Sequence, residues 1–254
     1  MSPPPVKLTD RWRDGRGAGE PGPGTLYWHV LLGDDPQLVA VAQTAQSRIA
    51  HFPGLHLTPL QWLHLTVLIA GPASQVTDLA RNEMLAIARS SLAGIKPISV
   101  DFSRVFFHPE AITLLARPAE ALAPVREAAE RATRAVMGGD STDDSSCSPL
   151  WTPHMTLCYS TSEQPAGPVI AALGQDLPSC RVSVNALSLV VQRDAEWLWA
   201  WSAVGAVTLG SDLSGQREIG SASHPVTERI NVCTAENLTS RPRPALQWCR
   251  DHWK

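Results

Sequence analysis

Apolar and polar residues alternate with a period that changes several times along the chain, and each change marks an element. "TLYWHVLL" (25–32) is short, β-branched and aromatic and is stopped by "GDDP", which predicts a strand. From about Gln37 to Ala50, Leu38, Val39, Val41, Ala42, Ala45 and Ile49 recur at spacings of three and four, which predicts a helix. "HFPGLHLTPLQ" reads as a loop and "WLHLTVLIAG" as the next strand. A second helix (Gln75 to Ala93) leads to two strand-like runs, "PISVDFSRVFF" and "AITLLA", parted by a turn at "HPE".

A third helix is predicted over Pro118 to Val136, with Pro124 resetting its first turn. The polar stretch "MGGDSTDDSSCSPL" then reads as a solvated connector that marks a lobe boundary near 138–150. Beyond it come a strand, "WTPHMTLCYS", a short helix in "SEQPAGPVIAALGQDL", and two strands, "CRVSVNALSLVVQ" and "EWLWAWSAVGAV", joined by the turn "RDA". Two similar α+β halves are the simplest reading of that order.

Composition narrows the setting. The 254 residues are 44% apolar, as in an ordinary globular protein, and the net charge of -3 gives no global pull toward polyanions, so contact with a nucleic acid has to come from a local pocket. Five cysteines without a CxxC pair fit reduced thiols, which points to a cytoplasmic protein. Residues 1–23, rich in Pro, Gly and charge, read as a disordered leader, and 210–254 as a flexible tail. The most apolar late stretch, Val182 to Leu209, is broken by Gln192, Arg193, Asp194 and Glu196, which argues against a membrane span. No heptads appear, so a monomer is the default.

Three His-x-Thr triplets stand out, at His56–Thr58, His64–Thr66 and His154–Thr156. On a strand, residues i and i+2 share a face, so His64 with Thr66, and His154 with Thr156, point one way while Leu65, Val67, Met155 and Leu157 turn to a core. His56 and Thr58 lie between Pro53-Gly54 and Pro59, which makes them a loop decoy. Two imidazoles facing one substrate can serve as general base and general acid, and two threonine hydroxyls can donate to oxygens that gain negative charge. That set suits in-line displacement at a phosphodiester without a metal.

"WLHLTV" and "PHMTLCYS", with their histidines 90 residues apart, resemble the two signature motifs of the 2H phosphoesterases, the 2'-5' RNA ligase and cyclic phosphodiesterase group. The resemblance extends over roughly residues 25 to 209. It implies an α+β, bilobal, pseudo-twofold fold in which two antiparallel sheets face a central cleft, with helices outside. It further implies action, with no required cofactor, on 2',3'-cyclic or 2',5'-linked phosphoesters of RNA ends, oligonucleotides or cyclic nucleotides, and reversible 2'-5' ligation. By position, His64 resembles the family's proton donor and His154 its acceptor, while Thr66 and Thr156 resemble the phosphate-holding hydroxyls.

Other residues invite plainer readings. His29 reads as a partly buried strand histidine, His108 as a turn residue, and Arg193 as a solvated hairpin arginine. Tyr27, Trp28 and Tyr159 could stack on a base but fit core or rim packing better. Trp197, Trp199 and Trp201 read as a packing surface on one strand face. Two alternative functions are a nucleotide-binding or RNA-end-binding module with little turnover, and a metal-dependent hydrolase using His51, His56 and His64, which lacks the carboxylates such sites usually show. His224, Cys233, Cys249 and His252 match no zinc-finger spacing.

Overall fold

The structure is a computed structural model that describes residues 3–13, 24–138, 151–174, 176–193 and 199–210. Strand β1 (Lys7–Leu8) is followed by β2 (Thr25–Leu31), and the "GDDP" stop works as a helix cap: Asp35 accepts from the N–H groups of Gln37 and Leu38 to start helix α1 (Pro36–Ile49). Strand β3 (Leu55–Leu57) and a 3₁₀ turn precede β4 (His64–Pro72). Helix α2 (Asp78–Leu92) begins three residues later than the periodicity suggests, because residues 73–75 form a 3₁₀ turn and Thr77 caps the Ala80 N–H.

Strands β5 (Ile98–His108) and β6 (Ala111–Arg117) form the expected hairpin. Helix α3 (Ala123–Met137) carries Pro124 in its first turn and buries Val125, Ala128, Ala129 and Ala132, small residues that allow close approach to α2. Then follow β7 (His154–Ser160), β8 (Gln164–Pro165), α4 (Ala166–Leu173), β9 (Asp176–Val184), β10 (Ala186–Gln192) and β11 (Trp201–Thr208).

The strands line up as β11-β10-β2-β4-β7-β6-β5-β9, all antiparallel, with β3 also on β7. Two sheets, one of four strands and one of five counting β3, meet where β4 touches β7 through a single residue pair, Leu65 and Met155. One sheet holds β2 and β4 with the late strands β10 and β11; the other holds β5, β6, β7 and β9. The α+β bilobal expectation therefore holds, but the halves interleave in sequence. "CRVSVNALSLVVQ" belongs to β9 and β10, which part at Asn185 and pair on opposite sheets, so no single position divides the lobes. Of the connector, residues 139–150 lie outside the described residues.

Helices cross over as well. α3 packs on β4 and α2 on β11, whereas α1 packs on β7 and β9 and touches α4. The Trp28 indole N–H donates to Thr133 Oγ1 at 3.0 Å, fastening β2 to α3, so Trp28 is a core residue and not a base platform. Among the described helices, α2 and α3 thus pack on one sheet and α1 on the other.

The leader expectation is corrected for residues 3–13. Lys7–Leu8 pairs with β8, Leu8 is buried, and the N–H groups of Thr9 and Arg11 donate to the carbonyls of Pro109 and Ser160. Residues 14–23 and the tail over 211–254 lie outside the described residues. No described helix is long and apolar enough to cross a membrane.

Candidate active site

The registers of β4 and β7 share one irregularity. Thr66 lies opposite His29 on β2, but Leu68 lies opposite Trp28, so Val67 is an extra residue. Thr156 lies opposite Thr113 on β6, but Cys158 lies opposite Ile112, so Leu157 is extra. A one-residue bulge shifts the side-chain alternation, which puts Ile69 on the face of His64 and Thr66 and Tyr159 on the face of His154 and Thr156. In β7 the cause is visible: the Leu157 carbonyl accepts from the Thr58 N–H at 3.0 Å and from Gln46 Nε2 at 2.9 Å.

Both histidines are held alike. His64 Nδ1–H donates to the Trp62 carbonyl at 2.8 Å, and His154 Nδ1–H donates to the Thr152 carbonyl at 2.8 Å. A carbonyl can only accept, so each neutral ring carries its proton on Nδ1 and keeps Nε2 as a bare acceptor. Each histidine opens its strand and reaches back two residues, a geometry that depends on the extended chain before it. The antiparallel contact at Leu65 and Met155 brings the two His-x-Thr pairs to the seam between the sheets.

Electrostatics separate the two histidines. His64 is buried among the rings of His29 (centroids 4.3 Å apart), Trp201 (5.1 Å) and Trp199 (5.2 Å), and burial pulls it down to about 4, with a smaller push from His154. His154 is half-buried and is also lowered, first by burial and then by the charges of Arg11 and His108.

From the sequence, several residues at the cleft read only as strand or packing residues, and Arg11 and Trp12 do not stand out at all. His29 is fully buried, stacked on His64, with Nε2 3.3 Å from Thr66 Oγ1. Trp199 precedes β11 in a left-handed backbone conformation (φ 50) and stacks on Tyr159 at 5.6 Å. Trp201 also packs on Trp62 and His29, and Trp199 is buried against Ala111 and Tyr159 of the other sheet, so the two tryptophans are the expected packing surface and cover the histidines as well; Trp197 lies outside the described residues. Arg11 is buried 4.9 Å above the Tyr159 ring and 3.6 Å from Glu110. Trp12 packs on Tyr159 and His56. The spacing of Trp199 and Trp201 was the one available signal.

Two further expectations change. His56 sits on a strand after all, because three residues fit between Pro53-Gly54 and Pro59 and pair with β7; it faces Trp12 at the far end of the cleft wall. His108 closes β5 instead of lying in the turn, and its Nδ1 accepts from the Glu110 N–H at 3.2 Å. His51 packs on Phe52, apart from these, and among the described residues no group of three or more His, Cys, Asp or Glu is placed to hold a metal ion.

Two antiparallel sheets thus bring two His-x-Thr pairs, each histidine held by the same carbonyl bond, to one seam. Residues 34–196 match the model of the 2'-5' RNA ligase superfamily, and the chain belongs to that family, the 2H phosphoesterases. Among solved structures it is similar to a Thermus thermophilus protein, TT0787, at 18% identity and a TM-score of 0.52, over 73% of this chain and 97% of that one. It is also similar to Escherichia coli LigT without ligand, at 14% identity and a TM-score of 0.52, over 74% and 98%. LigT bound to 3'-AMP gives the same identity, TM-score and coverage. No curated protein matches the chain. The chain is a phosphoesterase-type enzyme of this superfamily.

Proposed function

We propose that the chain hydrolyses 2',3'-cyclic phosphates or 2',5'-phosphodiester linkages of RNA or nucleotides, with His64 and His154 as the acid–base pair and Thr66 and Thr156 as the phosphate-holding hydroxyls. The carrying observation is the mirrored unit: a histidine locked through Nδ1 by the carbonyl two residues earlier, a threonine on the same face, then a bulge. Nε2 is then the nitrogen of each neutral ring that can take up a proton, which supports the acid–base reading. Solved LigT complexes with 3'-AMP, ATP, NADP+ and phosphate support a nucleotide or RNA substrate.

The resemblance implies His64 as donor. The environment favours the other direction: His64, deeper and held to about 4, stays neutral, while half-buried His154 takes a proton first when a phosphate anion arrives. In hydrolysis, His64 Nε2 removes a proton from water as its oxygen bonds to phosphorus. His154 Nε2–H then gives its proton to the ribose oxygen as the P–O bond breaks. Neither step requires a metal.

The test is turnover of a nucleoside 2',3'-cyclic phosphate and of a 2',5'-linked dinucleotide in excess EDTA, with the product identified as 2'- or 3'-phosphate. EDTA-resistant release of one isomer supports the reading and shows which oxygen leaves. Nucleotide binding without turnover would instead make the chain a binding module.

A further inference from the structure

His29 lies outside the span matched by the family model, yet it is fully buried against His64 and Thr66. It is opposite Thr66 in the β2–β4 register, fully buried, 4.3 Å from the His64 ring at an interplanar angle of 22°, and covered by Trp201 at 5.3 Å and Tyr27 at 5.1 Å. Its Nε2 is 3.3 Å from Thr66 Oγ1, while its Nδ1 is buried with no hydrogen-bond partner.

A neutral imidazole has one proton to place. With the proton on Nδ1, a buried N–H is orphaned and Nε2 takes the only proton of the Thr66 hydroxyl, leaving that hydroxyl nothing to donate. With the proton on Nε2, the orphan is a bare acceptor, and Thr66 accepts from His29 and keeps its own proton for a phosphate oxygen. Orphaned buried N–H groups are the rarer of the two in proteins.

We propose that His29 is a positioning residue: its Nε2–H donates to Thr66 Oγ1, turns the hydroxyl proton toward the substrate phosphate, and its ring backs His64. The role in turnover rests on the proposed phosphoesterase reading. Among the described residues the second lobe has no such device, since the position opposite Thr156 is Thr113, whose buried Oγ1 makes no hydrogen bond.

The test has two arms. Long-range proton–nitrogen NMR of the wild type should show His29 as the Nε2–H tautomer; an Nδ1–H tautomer overturns the proposal. In the second arm, His29→Phe keeps a ring and loses the donor, His29→Gln restores a donor near the Nε2 position, and Thr66→Val removes the recipient. His29→Phe should lower kcat/KM by about tenfold to a hundredfold, His29→Gln should recover most of it, and His29→Phe should cost little in a Thr66→Val background.

Additive losses, or no recovery in His29→Gln, would mark His29 as packing only. The titratable groups facing it are His64 from β4 and Tyr27 from its own strand, with Ser188 opposite on β10. The pH profile of His29→Phe should therefore keep its limbs at a lower plateau, and loss of a limb would make His29 a proton carrier and refute the positioning role. The same cycle is read on affinity for inorganic phosphate, so a wild type without turnover counts against the proposed activity and not against this hydrogen bond.

Discussion

The two lobes build the same backbone device and surround it differently. In each, a histidine opens a central strand, bonds the carbonyl two residues back, and is followed by a threonine and a bulge. Around His64 the neighbours are rings: His29, Trp199 and Trp201. Around His154 they include charge, from Arg11 and His108. Symmetry of the backbone with asymmetry of the packing lets one fold hold two identical groups at different proton affinities, which acid–base catalysis at a single phosphorus requires.

Removing either histidine tests whether both lobes are needed, and this is the largest effect expected. His64→Ala and His154→Ala should each lower kcat by about a hundredfold or more, with affinity for 3'-AMP changed only slightly. Next comes stability. His29, His64 and His154 are all lowered in the fold, so the unfolded chain binds more protons and stability falls as pH drops below about 6.5, until each folded value is passed, by up to ~1.4 kcal/mol per pH unit for each histidine. Thermal unfolding at pH 7.5 and 5.5 without phosphate checks the sign, and equal melting temperatures would refute it.

Smaller shifts separate the lobes. Trp199→Ala uncovers His64 and should raise its NMR titration midpoint above about 4, leaving His154 in place. Arg11→Gln paired with Glu110→Gln, which leaves no lone buried charge, should raise His154 by a fraction of that and leave His64 unmoved. If both histidines moved together in either variant, the two environments would be one.

The pairing of four candidate residues was legible in the sequence because a period of two is a local property: His64 and Thr66, like His154 and Thr156, share a strand face with Leu65 or Met155 between them. The α+β class was legible for the same reason. Strand partners were not, because β9 and β10 run together through Asn185 with no turn signal, and only the tertiary fold sends them to opposite sheets. Nor was the wall of the cleft: His29 sits 35 residues from His64, Trp199 far downstream, and Lys7–Leu8 is too short a strand to carry a pattern. Such convergence is decided by packing, which a single sequence does not print.

The most direct measurement is turnover of a nucleoside 2',3'-cyclic phosphate in EDTA by His64→Ala, His154→Ala and the double variant. If the two lobes serve one reaction, each single loss should be nearly as deep as the double, since half an acid–base pair does little alone. A single variant that keeps wild-type turnover, or losses that simply multiply, would contradict a shared two-histidine site.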